Sequence, residues 1–193
     1  MALTADTSAP VRISDTPVRI ETGRLLLRSM EETDAEPHYV RWMNDPETLR
    51  YTESRYTAHS AEEIRSYIAA MWSDPDSLFL GMEIAGDHRH IGNIKIGPVD
   101  WHHRTGDIGL LIGEANCWGQ GYASEAISAL AGYAFENLGL EKLTAGVYAP
   151  NIGCIRAFER AGFMREGIRR SQCQFENSRV DVVLLGRVCE VDV

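Results

Sequence analysis

At 193 residues and a net charge of −9, the chain is long enough for one domain with a substantial core. It is too acidic for nonspecific nucleic-acid binding, which needs a basic face, and its charge mildly favours cationic substrates. No apolar run reaches the roughly 18 residues of a membrane span. Cys117, Cys154, Cys173 and Cys189 lack CxxC spacing, which leaves out a zinc site and a disulfide framework and points to a reducing cytoplasm.

Residues 1–17, rich in Ala, Thr, Ser, Asp and Pro, read as a flexible lead-in without the basic and apolar regions of a signal peptide, followed by one domain over 18–193. The stretch 20–30 (IETGRLLLRSM) reads as a first strand. A helix follows over 32–42, with Thr33 as a cap and Asn44-Asp45-Pro46 as its stop. Ser60 and Glu63 have the spacing of a capping box and open a second helix to about residue 72. Strands 78–85 and 90–99 flank the turn-like Gly86-Asp87-His88, and 105–112 is the next strand. From Tyr122 a helix carries Ala126, Ile127, Leu130, Ala131, Ala134, Phe135 and Leu138 on one stripe, with Gly139 ending it. A strand at 142–148, a short helix at 151–161 ending at Gly162, and strands at 163–168 and 180–188 complete the chain. This order implies an α/β (α+β) fold: one mixed sheet of about seven strands with helices on both faces.

The junction Trp118-Gly119-Gln120-Gly121-Tyr122-Ala123-Ser124 lies between a strand and a helix start. Glycines there allow close backbone approach, and the first N–H groups of the helix are unpaired, so the junction suits a phosphorylated ligand. No Gly-Lys-Ser or Gly-Lys-Thr of a P-loop occurs, and the third glycine of a dinucleotide turn is replaced by Ser124. A plain tight turn is the alternative. A second cluster, Asn151-Ile152-Gly153-Cys154 followed by Glu159-Arg160-Ala161-Gly162-Phe163, lies beyond the next strand.

Together these two motifs resemble the GNAT superfamily of acetyl-CoA-dependent N-acetyltransferases, most closely its RimJ/RimL branch. Arg24-Leu25-Leu26-Leu27-Arg28, Asp34-Ala35 and Asn44-Asp45-Pro46-Glu47 match that branch, and the likeness runs over 22–187. The resemblance implies a mostly antiparallel twisted sheet with a splayed central strand pair. It implies that backbone N–H groups of Gly119, Gln120, Gly121, Tyr122, Ala123 and Ser124 hold the pyrophosphate of acetyl-CoA. Pantetheine would lie along Leu111, Ile112 and Gly113, with Asn151 and Phe158 facing it, unless Asn151 serves only as a helix cap. Three departures stand out: Trp118 replaces Arg or Gln, Cys154 replaces Ser, and Phe158 replaces a tyrosine that protonates the leaving thiolate in many relatives.

The implied reaction is direct attack of a primary amine on the thioester, with no acyl-enzyme and no metal. At a pKa of about 10.4, only about one lysine-type amine in a thousand is neutral at pH 7, so a proton acceptor is needed. Asp107 is the first candidate, against a simply solvated carboxylate. Cys154 is a candidate acid, against a small buried thiol. Tyr148 is a candidate phenol whose face the sequence leaves open. Trp42, Trp101 and His102 are candidates for the acceptor side, with Asn44, Tyr51 and Tyr56 around them; core packing explains Trp42 equally well. The acceptor is a protein N-terminus or a small amine such as an amino sugar, an aminoglycoside or a polyamine. A catalytically silent acyl-CoA-binding regulator is the alternative, and a homodimer stays open.

Overall fold

The computed structural model describes Ile13 and residues 16–189. The expected lead-in therefore lies mostly outside the described residues, although Ile13 is buried in the main core. Eight strands and four helices are present among the described residues. The strands are β1 (Arg19–Glu21), β2 (Leu25–Ser29), β3 (Leu78–Ile84), β4 (His90–Asp100), β5 (Thr105–Ile112), β6 (Lys142–Tyr148), β7 (Met164–Phe175) and β8 (Ser178–Val188). They form one sheet in the order β1-β2-β3-β4-β5-β6-β8-β7, antiparallel everywhere except between β5 and β6. The helices are α1 (Pro37–Trp42), α2 (Ala61–Ser73), α3 (Tyr122–Glu136) and α4 (Ile152–Arg160).

Most elements follow from the pattern. The capping box of α2 forms, with Ser60 Oγ accepting from Glu63 N at 3.2 Å and the Glu63 carboxylate accepting from Ser60 N at 2.7 Å. The alternation of β3 sends Leu78, Leu80 and Met82 to the core beneath α3, and Phe79 to the opposite face with Tyr39, Trp42, Ile64 and Ile68 of α1 and α2. The stripe Ala126, Ile127, Leu130, Ala131 and Ala134 buries α3 against that first face.

Four expectations need correction. The stretch 20–30 is not one strand: Thr22 N bonds the Leu25 carbonyl at 2.8 Å, the chain reverses, and the sheet gains its eighth strand. The helix expected over 32–42 is a 3-10 turn at Glu32–Asp34 followed by α1, because Pro37 has no N–H to donate and disfavours a helical residue before it. Glu31, rather than Thr33, caps that turn. The helix α3 ends at Glu136, before Gly139, whose φ of 66° serves the following connection. Finally, β7 runs on to Phe175, since its polar, mostly exposed residues pair with β8 without any apolar alternation to announce them.

Candidate active site

The parallel pair β5–β6 creates the site. Its ladder covers only Thr105↔Lys142, Gly106↔Leu143 and Asp107↔Thr144, while β5 continues to Ile112 and β6 to Tyr148. Beyond Asp107 the strands part and leave a V-shaped gap. Gly113 N donates to the Ile91 carbonyl of β4 at 2.8 Å. Strand alternation then turns the peptide groups of Leu111 toward β4 as well, and those of Leu110 and Ile112 toward the gap. Of the three residues expected to face pantetheine, only Ile112 thus presents its main chain. Leu110 was not among them, because the sequence gives the strand but not which of its residues turn their peptide groups to the gap.

The glycine turn sits at the open end of this gap. Gly119 has φ 72° and Gly121 φ 86°, the left-handed region that favours glycine. Gly121 is the N-cap of α3 and supplies no side-chain cap. Among the described residues, the N–H groups of Gly119, Gln120, Gly121, Tyr122, Ala123 and Ser124 find no protein acceptor. A row of donors at a helix N-terminus favours an anion. The turn is tied down from the side by the β1–β2 hairpin. Arg24 Nη1 donates to the Gln120 carbonyl at 3.0 Å, while Arg24 Nε and N donate to Glu125 at 2.7 and 2.8 Å. Thr22 Oγ1 donates to the same carboxylate at 2.6 Å.

Asp107 marks the apex of the gap. It accepts from Thr144 Oγ1 at 2.8 Å. Desolvation raises its pKa above the ordinary carboxylate value, against the pull of the Thr144 hydroxyl, Lys95 and Arg169, although the residue keeps access to solvent. Strand alternation puts Asp107, Gly109, Thr144, Gly146 and Tyr148 on one face of the sheet. At the open end, Tyr148 carries its hydroxyl to the Glu53 carboxylate in a short hydrogen bond and accepts from Arg55 Nη2 at 3.2 Å. Burial and the adjacent Glu53 carboxylate push its phenol upward, so it stays protonated. Nothing local in the sequence links Glu53 and Arg55 to Tyr148, which is why they were not foreseen.

Beside this cluster lies a groove of ≈ 520 Å³, bounded by Asn44, Asp45, Arg50, Tyr56, Phe175 and Glu176 among others. Asn44 and Tyr56, two of the residues expected on the acceptor side, both border this groove. Tyr51 stacks on Phe175, centroids 5.3 Å apart, in the cluster behind the groove.

Several expected site residues take other positions. Trp101 and His102 occupy the β4–β5 turn, and the Trp101 indole donates to Asp76 at 2.7 Å. The eight residues of β5, roughly 23 Å of strand, separate that turn from the glycine turn, so neither residue borders the open end of the gap. Trp42 is 2 % exposed and donates to Glu114 Oε1 at 3.0 Å; it is a core wedge rather than a pocket wall. A Cβ on Gly113 would stand 2.0 Å from its ring, so the glycine at this position admits the indole. Phe158 is 1 % exposed and packs edge-on against Phe163 at 5.0 Å, so it presents almost no surface to a ligand. Asn151 caps α4, its Oδ1 accepting from Cys154 N at 3.2 Å. Burial pushes the Cys154 thiol up to about 12, which makes it a poor acid for a thiolate of cysteine type at about 8.5.

A parallel strand pair that opens beside a donor-lined helix start defines the class of the protein. Residues 24–164 match the acetyltransferase (GNAT) domain family. The chain is 31% identical over 159 residues to an uncharacterized N-acetyltransferase, YoaA, of Bacillus subtilis, covering 82% of this chain and 89% of that one. In fold it is similar to spermidine N-acetyltransferase from Vibrio cholerae in complex with CoA and spermine, with TM-score 0.77 and 21% identity over 86% of this chain and 96% of that one. It is also similar to RimL, a ribosomal L7/L12 alpha-N-protein acetyltransferase in complex with coenzyme A, with TM-score 0.80 and 16% identity over 91% of this chain and all of that one. The chain belongs to the GNAT acetyltransferase family.

Proposed function

We propose that this chain transfers the acetyl group of acetyl-CoA to a primary amine by direct attack, and that it is a RimJ/RimL-like member of its family. The observation that carries this reading is the row of unpartnered N–H groups from Gly119 to Ser124 beside the unpaired edge of β5. That cradle suits a ligand with a phosphate end and an amide-bearing arm: donors meet the phosphates, and Leu110 and Ile112 offer the arm a strand edge. Leu111 borders the arm by its side chain, and Asn151, whose Oδ1 accepts from Cys154 N, is left with its amide N–H groups to donate to it. Bound acetyl-CoA supplies an activated acyl carbon and a thiolate leaving group.

The chain's own residues handle the proton. An acceptor arriving as an ammonium ion gives its proton to Asp107, directly or through water; the neutral amine forms the new C–N bond, the C–S bond breaks, and the departing thiolate takes the second amine proton, directly or through water. A carboxylate with a raised pKa is a better base for this step than a fully solvated one. A gap-facing N–H of β5 steadies the acetyl oxygen. The Tyr148–Glu53 pair stands between groove and gap and orients the acceptor. The acceptor class is a protein N-terminus or a small amine, and the similar structures named above include a ribosomal-protein acetyltransferase and a spermidine acetyltransferase. The four cysteines are free and fit a reducing cytoplasm.

The test is free-thiol release from acetyl-CoA by purified protein across N-terminal peptides, polyamines, aminoglycosides and nucleotide amino sugars. Release that depends on one acceptor class supports the reading and names the substrate. Tight acetyl-CoA binding with no release for any amine favours a silent acyl-CoA-binding protein instead.

A further inference from the structure

Trp118 is a large aromatic residue left 41% exposed at the first position of the glycine turn. Burial does not hold it; one hydrogen bond does. Its Nε1 donates to the Ile112 carbonyl at 2.8 Å. That carbonyl is the last one of β5 to face the gap, so the indole fills the acceptor that ends the unpaired edge. Between the two residues, Cys117 N bonds the Glu114 carbonyl at 2.9 Å and Trp118 N bonds the Ala115 carbonyl at 3.1 Å, so the connection is folded as well as closed. The result is a brace between the end of the strand edge and the beginning of the donor row.

We propose that Trp118 is a positioning residue that sets the separation between the strand edge and the anion-binding turn, and thereby the affinity for a ligand that must span both. This rests on the reading that the edge and the turn together take acetyl-CoA. The indole touches neither the transferred acyl group nor the acceptor; it fixes where pairing along β5 stops and where the phosphate donors start. A ligand that uses only one of the two subsites does not feel the separation, whereas one that bridges them does.

The experiment compares Trp118→Phe, which keeps a ring and removes the N–H, with the unsubstituted chain in titration calorimetry. The probes are acetyl-CoA and adenosine 3′,5′-bisphosphate, which has the nucleotide end but no pantetheine arm. The expected result is a loss of about tenfold in acetyl-CoA affinity, the scale of one ordering hydrogen bond, with the bisphosphate affinity unchanged. Retained bisphosphate binding also shows that the variant is folded. Equal losses for both probes, no loss for either, or collapse of the fold would each overturn the assignment, since the indole would then support the turn, do nothing, or hold the fold. Failure of the unsubstituted chain to bind acetyl-CoA would instead remove the functional reading beneath it.

Discussion

The two ends of the β5–β6 pair are made of the same strands and behave in opposite ways. At the closed end, ladder bonds join Thr105–Asp107 to Lys142–Thr144, and a Cβ on Gly106 would meet Ile96 at 2.9 Å. At the open end the ladder is absent, donors stand unpartnered, and a Cβ on Gly119 would meet nothing within 4 Å. The contrast shows that glycine serves two purposes along one stretch of chain. Gly113 is small so that Trp42 can close the structure; Gly119 and Gly121 are permissive so that the backbone can present donors. A functional site in this fold is a place where ladder and packing stop.

The largest expected effect falls on the residue where the two ends meet. Asp107→Asn is expected to lower kcat/KM about a hundredfold or more, the range of a lost general base. The acid limb of the unsubstituted chain, where activity falls as pH drops through the raised Asp107 pKa, should vanish with it. The same substitution should raise the melting temperature slightly at neutral pH. The sign follows from linkage: a carboxyl raised in the folded state loses stability as pH climbs from its unfolded pKa to its folded one, so the gain from Asn narrows as pH falls into the ordinary carboxylate range.

Two glycine variants separate packing from presentation. Gly113→Ala forces a methyl against a buried ring anchored by Glu114 and should lower stability by about 3 kcal/mol in urea unfolding. Gly121→Ala meets only the end of the Arg24 side chain at 3.4 Å, but its φ of 86° should cost about 1–2 kcal/mol and weaken acetyl-CoA binding. Binding lost more by the first variant at a temperature where both are folded would break the comparison. The smallest expected effect is at His102→Ala: beyond the closed end, it should leave kcat and both KM values unchanged in steady-state assays.

What the sequence revealed divides along the same line. The bounds of β5 and β6 match the expectation from alternation and turn residues, and the Ser60–Glu63 box marks the start of α2, because these signals lie within a few residues. The eighth strand was missed because the reversal at 22–24, Thr22-Gly23-Arg24, is only three residues long and passes for the middle of one strand. Trp101 and His102 lie at the other end of β5 from the glycine turn, since adjacency to a strand does not say which of its ends a residue shares with a second motif. Glu53 was unreadable, since its partner Tyr148 is 95 positions away and only the tertiary fold brings them together. The glycine turn was legible as a strand-to-helix junction because its residues are contiguous and its geometry is main-chain.

Whether the open end of the β5–β6 pair holds acetyl-CoA is read by mapping amide resonances while acetyl-CoA is titrated into the labelled protein. Large shifts are expected for Gly119 to Ser124, Leu110 and Ile112, and none for the Trp101 indole or the amides of the β4–β5 turn. Shifts confined to that turn, or absent from 119–124, would contradict acetyl-CoA binding at the open end.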